Sequence, residues 1–472
     1  MDHADSKSTH HRWVWAFAIG LVFMCVAVLT VWLSLNRIAP TGERGLSAWN
    51  VPPLRGDGYD YDNIALCLAR GRGFSKWMSD PEFKRPYERA LTKDDERYAN
   101  LFNTVIQGEG ELYPATDRAP GYPVVLAGLY SVLGRNFAVA RMFNCLLVGF
   151  AAAMTYLATC YITRHHVSGL LACGFLALNT QMWAYAKNIL SEPFALALVA
   201  LALYVAVRAW SSGRAAMLIL AGLSVAAAVL TRSVLAPSIV FFALALLLVR
   251  RAPFRRRFQQ AIIFLIACTL PIAAWSARTT LHAGRLTLLS TRADTDLPAG
   301  YTKTCLAWSG AWRPWTEQPY RDEVRSIANS DDEREIARAH RKVFPHILRQ
   351  NAHLIPRLVA VKAQTTLPLP GINNHKLIHE ITDAVVFYLA VIGAVFVASR
   401  SLGLIGFAPM LGTFVTSVIV HANPRFRLPT LPGLALLAAL SLGWFVFRVS
   451  VDDLQSDVLR RQNQARDNPG QS

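Results

Sequence analysis

Trp13-Val14-Trp15-Ala16-Phe17-Ala18-Ile19-Gly20-Leu21-Val22-Phe23-Met24-Cys25-Val26-Ala27-Val28-Leu29-Thr30-Val31-Trp32-Leu33-Ser34-Leu35-Asn36 contains no charged side chain. An apolar run of about 18 residues or more is long enough to cross the roughly 30 Å hydrocarbon core as a helix. A signal-peptide core is about 7–15 residues and ends in small residues at a cleavage site. This block is longer and ends in Trp32, Leu33 and Leu35, so it reads as an uncleaved anchor. Similar blocks recur at 141–161, 167–186, 190–208, 215–231, 233–249, 260–277, 383–399, 402–421 and 429–447. Length alone would allow about three soluble domains. The clustering of the 53% hydrophobic residues instead predicts an all-α polytopic membrane protein with about ten transmembrane helices. The block from Gly121 to Gly134 is apolar but too short to span, and reads as an interfacial or re-entrant helix.

The net charge of +17 would suggest nucleic acid in a soluble protein. Here the arginines stand between apolar blocks, the pattern of topology signals, and there is no P-loop, zinc-finger spacing or basic helix interleaved with aromatics. Nucleic acid is therefore excluded as a partner. A cytoplasmic N-terminus places Lys7, Arg12, Arg164, Arg208, Arg214, the cluster Arg250, Arg251, Arg255, Arg256 and Arg257, then Arg400 and the tail from Arg448, on the inside. The division that follows is a cytoplasmic N-terminus (1–12), a first span (13–36), a first extracytoplasmic segment (37–140) and six spans (141–277). A second extracytoplasmic segment (278–382), three spans (383–447) and a polar tail (448–472) complete it. Trp, Tyr, Pro and amphipathic stretches in the two large segments predict that they fold. Ser330-Asp331-Asp332-Glu333 is a capping box opening one helix there.

Of seven cysteines, only Cys67 and Cys305 lie in these hydrophilic segments, and their pairing stays open. The pairs His10-His11 and His165-His166 lack further metal ligands nearby. Trp308, Trp312 and Trp315 suit either sugar stacking or a membrane-interface belt.

The first large segment holds the most informative run, from Asp57-Gly58-Tyr59-Asp60-Tyr61-Asp62 to Gly71-Arg72-Gly73-Phe74. Tyr61, Ile64, Ala65 and Leu68 have the spacing of an apolar helical stripe, which predicts a surface helix beginning near Asp60 and stopping at Gly71. Asp60 and Asp62 fit a capping or dipole role. Asp57, further out beside a glycine, needs another explanation. Asp117-Arg118-Ala119-Pro120-Gly121-Tyr122-Pro123 puts an acid and a base beside a rigid turn. Glu192, Arg232, Arg278, Arg425 and Arg427 stand inside or at the edges of spans on the predicted outer side. Each alone reads as an interfacial anchor. Together they are several cations on the side that the positive-inside bias leaves poor, as a site for an anionic lipid headgroup would require.

These motifs, in order, resemble the GT-C glycosyltransferases, the relatives of bacterial aminoarabinose transferase and of protein O-mannosyltransferases. The resemblance rests on Asp57-x-x-x-Tyr61-x-x-x-Ala65, Gly71-x-Gly73-Phe74, Arg118-x-Pro120-Gly121-Tyr122-Pro123 and Arg141-Met142-Phe143-Asn144. Further along it includes Ser191-Glu192-Pro193, Leu230-Thr231-Arg232, Trp275-x-x-Arg278 and Arg425-Phe426-Arg427-Leu428-Pro429. The chain departs at Ala119, where many relatives have Pro, and at Asn423-Pro424, where some have an acid.

The resemblance implies an inverting transfer of a sugar from a polyprenyl-phosphate donor to a lipid, glycan or protein acceptor outside the cytoplasm. It also implies a bacterial inner-membrane location with the site facing outward. By position Asp57 is then the base. Asp117, Arg118, Tyr122, Glu192, Arg232, Arg278 and Arg425 are the substrate-binding set. No cofactor is required, and a divalent cation is compatible with the chemistry. Two rival readings are a transporter or flippase of a lipid-linked anion and an oligosaccharide ligase or polymerase. Transporters place substrate near the midplane on broken helices, which leaves two large outer segments without a purpose.

Overall fold

The computed structural model describes residues 2–38, 47–54, 56–91, 101–248, 253–311, 322, 324, 333–368, 377–397 and 400–447. Helices make almost all of it, with one two-stranded antiparallel sheet pairing Ser75–Lys76 with Tyr113–Pro114. Among the described residues seven helices are long and apolar enough to cross a membrane: His11–Asn36, Phe137–Thr163, Glu192–Ser212, Phe254–Ala283, Glu380–Val397, Ser401–Ile419 and Pro424–Phe445. The block at 167–186 is two helices, His166–Ala177 and Thr180–Ala186, bent by 68° and an eighth crossing if taken as one. The blocks at 215–231 and 233–249 form the shorter apolar helices Ala215–Thr231 and Ser233–Leu247. Ala215–Thr231 has 17 residues between Arg214 and Arg232, and at about 1.5 Å per residue it falls a little short of the hydrocarbon core. Gly121–Leu133 is a separate short helix, as its length predicted.

The bundle packs around Phe137–Thr163, which lies against the first helix and against Glu192–Ser212. Gly20 and Gly149 let the first of these pairs touch backbone to backbone: a Cβ on Gly149 would lie 2.3 Å from the Gly20 carbonyl oxygen. The last helix, Leu431–Phe447, fills the centre with Leu434, Leu437, Ala438 and Leu440. In Phe254–Ala283 the cations Arg255, Arg256 and Arg257 stand at one end and Arg278 near the other, about 30 Å apart along the axis. Arg250 and Arg251, and the tail from 448, lie outside the described residues.

Both large hydrophilic segments carry helices in their described parts. The first has Gly58–Ala69 and Pro81–Ala90; the second has Ala293–Ala299, Lys303–Ala307, Glu333–Gln350 and Ile355–Thr366. Helix Glu333–Gln350 starts where the capping box ends, while residues 330–332, Trp312 and Trp315 lie outside the described residues. No disulfide joins any of the seven cysteines, so Cys67 and Cys305 are not paired with each other.

Candidate active site

The site begins at a turn. Gly56 has φ +63, a left-handed conformation that glycine adopts without strain, and the helix starts two residues later at Gly58. That is earlier than the predicted start near Asp60. Asp57 thus occupies the N-cap position, yet its side chain makes no capping hydrogen bond. It is paired instead with the guanidiniums of Arg118 and Arg425, each at 3.2 Å. The stripe Tyr61, Ile64 and Ala65 is buried inside the protein, and Tyr61 and Ala65 pack with Tyr122, Leu126 and Tyr130 of Gly121–Leu133. This corrects the surface-helix expectation: the neighbouring helix covers that face.

Asp60 and Asp62 are not caps. Asp60 binds Arg118, and its other oxygen is 2.8 Å from Lys76 Nζ. Asp62 is fully buried and accepts from Tyr87 at 2.9 Å, Tyr130 at 2.8 Å and the Arg135 guanidinium. The reason is the all-round burial of this short helix, which turns each carboxylate toward a partner from a different part of the chain.

Lys76 reaches from the small sheet to Asp117 at 2.9 Å, and Arg118 Nε lies 3.4 Å from the same carboxylate. Pro120 and Gly121 then turn the chain into the next helix. A Cβ on Gly121 would lie 2.2 Å from Thr231 Oγ1, so only glycine lets this turn close on the residue preceding Arg232.

Glu192 starts its helix fully buried. The approach to it is pinned from Phe137–Thr163: Arg141 Nε donates to the Lys187 carbonyl at 2.9 Å and Asn144 Nδ2 to the Asn188 carbonyl at 2.6 Å. Tyr122 donates to Asn144 Oδ1 at 3.3 Å, which gives this site candidate a bracing position. Glu192 pairs with Arg232 at 2.8 Å and with Arg425 at 3.6 Å. Arg232 also donates to Ser191 Oγ at 3.2 Å, and Arg232 and Arg425 both lie over the ring of Phe426.

These contacts form one continuous ladder in which charge alternates: Arg232, Glu192, Arg425, Asp57, Arg118, Asp60, Lys76, Asp117. Four cations balance four carboxylates along it, as burial of so many charges demands. The ladder opens to solvent near its middle. The Asp57 side chain is 23% exposed and Arg425 25%, against 6% for Asp60, 7% for Asp117 and 1% for Glu192. Burial pushes the Asp57 carboxyl up, but the guanidiniums of Arg118 and Arg425, backed by Arg292 and Arg232, outweigh it and hold the group well below the usual carboxylate range.

Arg278 stands outside the ladder. It donates to the carbonyls of Phe74, at 2.6 Å, and Ala115, with its guanidinium near the rings of Phe74 and Trp275. It thereby clamps the two strands that deliver Lys76 and Asp117. Among the described residues no group of three or more His, Cys, Asp or Glu is arranged to hold a metal ion.

The family model of the dolichyl-phosphate-mannose-protein mannosyltransferases matches residues 96–286. Over that stretch, less than half of its length, the chain is similar to this mannosyltransferase family. The matched part contains Asp117, Arg118, Tyr122, Glu192, Arg232 and Arg278, while Asp57 and Arg425 lie on either side of it. A solved structure, ArnT from Cupriavidus metallidurans bound to undecaprenyl phosphate, is similar over 90% of this chain and 77% of its own, with 11% identity and a TM-score of 0.39. No curated protein matches.

Sequence reasoning named Asp57, Asp117, Arg118, Glu192, Arg232 and Arg425, which the fold places in one ladder. It missed Lys76, and it gave Asp60 too local a role. Lys76 carries no signal in the sequence, being one lysine in a two-residue strand.

Proposed function

We propose that this membrane glycosyltransferase moves a sugar from a polyprenyl-phosphate carrier to an acceptor hydroxyl, with inversion, in a site facing away from the cytoplasm. The observation that carries the reading is the opening of a charge-balanced ladder at one carboxylate, Asp57, flanked by two guanidiniums. The matched family is named for a dolichyl-phosphate-mannose donor, a sugar on one lipid-borne phosphate, which agrees with it.

In the proposed step Asp57 accepts the acceptor's O–H proton as that oxygen bonds to the anomeric carbon. The bond from the anomeric carbon to the phosphate oxygen breaks, and its electron pair leaves with the polyprenyl phosphate. Arg118, Arg425 and Arg232 stabilise the charge that gathers on the leaving phosphate, preorganised by the carboxylates that hold them. A single base on the acceptor side, with no protein nucleophile, gives inversion.

Purified protein supplied with a monosaccharide on polyprenyl monophosphate should release polyprenyl phosphate and glycosylate an acceptor drawn from lipid, glycan or protein fractions. Turnover only with a diphosphate-linked oligosaccharide would move the enzyme to the ligase class. Lipid translocation without bond cleavage would replace the reading by a flippase.

A further inference from the structure

We propose that Arg118 and Arg425 are positioning residues that hold Asp57 paired in the empty site and release it when a donor phosphate takes their N–H groups, so that donor must bind before the acceptor can be deprotonated. The inference rests on the reading of Asp57 as base and of a phosphate-linked donor.

Three observations support it. Among the described residues the ionic partners of Asp57 are these two arginines. Each arginine has another carboxylate behind it: Asp60 and Asp117 for Arg118, Glu192 for Arg425. Asp57 is also the most exposed carboxylate of the ladder, so a ligand arriving from solvent meets this rung first.

A guanidinium has five N–H donors, enough to keep its rear carboxylate while turning a fork to a phosphate. A carboxylate clamped by two guanidiniums is ionised but a poor proton acceptor, because protonation would forfeit both pairings. Replacing Asp57 by a phosphodiester as the front partner keeps each arginine compensated and frees the carboxylate. The other charged or titratable groups around Asp57 are Tyr59, Asp60 and Tyr61 on its own helix, Asp117 beside Arg118, Tyr185 and Glu192 before and at the start of the next span, and Arg232 and Arg292. Asp60, Asp117 and Glu192 are already paired, so the release falls on Asp57 alone.

The test compares pH profiles of the full-length enzyme. The acid limb of kcat/KM for donor reports the free enzyme, and that of kcat/KM for acceptor at saturating donor reports the donor complex. The acid limb should lie at least about one pH unit higher in the donor complex. Product inhibition by sugar-free polyprenyl phosphate should be competitive with donor, as an obligatory donor-first order requires. Arg425→Lys, which keeps the charge but loses the fork, should narrow the gap between the two limbs. Coincident acid limbs, or acceptor binding first, would overturn the release while leaving the base assignment standing. Near-normal turnover in Asp57→Asn would instead overturn the base assignment itself.

Discussion

Asp57 is the proposed base, and its surroundings separate base removal from loss of fold. Asp57→Asn keeps the size and removes the proton acceptor. Its half-open position lets Arg118 and Arg425 fall back on their other carboxylates. Turnover should drop about 10²–10⁴-fold, with donor binding retained or tightened, since the carboxylate that competes for the arginines is gone, and thermal stability nearly unchanged. Asp60→Asn and Asp117→Asn should differ, because each strands part of Lys76 or Arg118 in a buried setting and should lower the melting temperature as well. Arg118 illustrates the same distinction. From sequence, Arg118→Ala reads as a pure donor-binding lesion. In the fold it leaves buried Asp60 and Asp117 undercompensated, at a cost of about 3–5 kcal/mol in stability. Arg118→Lys is the cleaner probe: it should melt close to the parent in a detergent thermal scan yet bind donor more weakly, since an ammonium lacks the bidentate fork.

At the scale of elements, the helix Gly58–Ala69 was legible from its stripe and its glycine stop, but its role was not. Local pattern made Asp60 and Asp62 caps, because capping is what an acid near a helix start does when nothing distant intervenes. Arg135, Tyr87 and Tyr130 intervene for Asp62 and Lys76 for Asp60, from 16 to 73 positions away in the chain. Asp62→Asn should therefore destabilise the protein by about 3–5 kcal/mol by stranding Arg135, read as a fall in thermal midpoint.

The second large segment offers an independent check through His340, buried in Glu333–Gln350. Burial first, then Arg292, lowers its pKa from 6.5 to about 4. The folded form thus binds the proton less readily than the unfolded one. Its stabilising contribution is complete above about 6.5 and is lost as pH falls from there toward about 4. Thermal midpoints measured across that range should fall with acid, less steeply in His340→Gln.

For the whole molecule, the proposed orientation sets the Arg255–Arg257 end of its helix in the cytoplasm and both large segments outside. Single cysteines at Glu109 and His346, both exposed, should react with an impermeant thiol reagent in intact cells, on a background lacking accessible native thiols. A cysteine at Arg255 should react only after permeabilisation. Labelling at Arg255 from outside would reverse the orientation and bring the site to the cytoplasmic face.

Periodicity, block length and the placement of arginines between blocks were enough to read a polytopic helical membrane protein, because the bilayer imposes a length and polarity rule on each segment separately. The same reading singled out six of the eight ladder residues, since acids and arginines beside apolar spans are costly enough to stand out one at a time. Only the tertiary structure decided which charge meets which. Lys76 lies in the small sheet that Arg278 holds through the Phe74 and Ala115 carbonyls, and Arg425 meets Asp57 across 368 residues of chain. The bend at 177–180 and the two shorter apolar helices were likewise settled by packing. Pairing between distant charges depends on direction and distance in space, and a linear pattern of residue types contains neither.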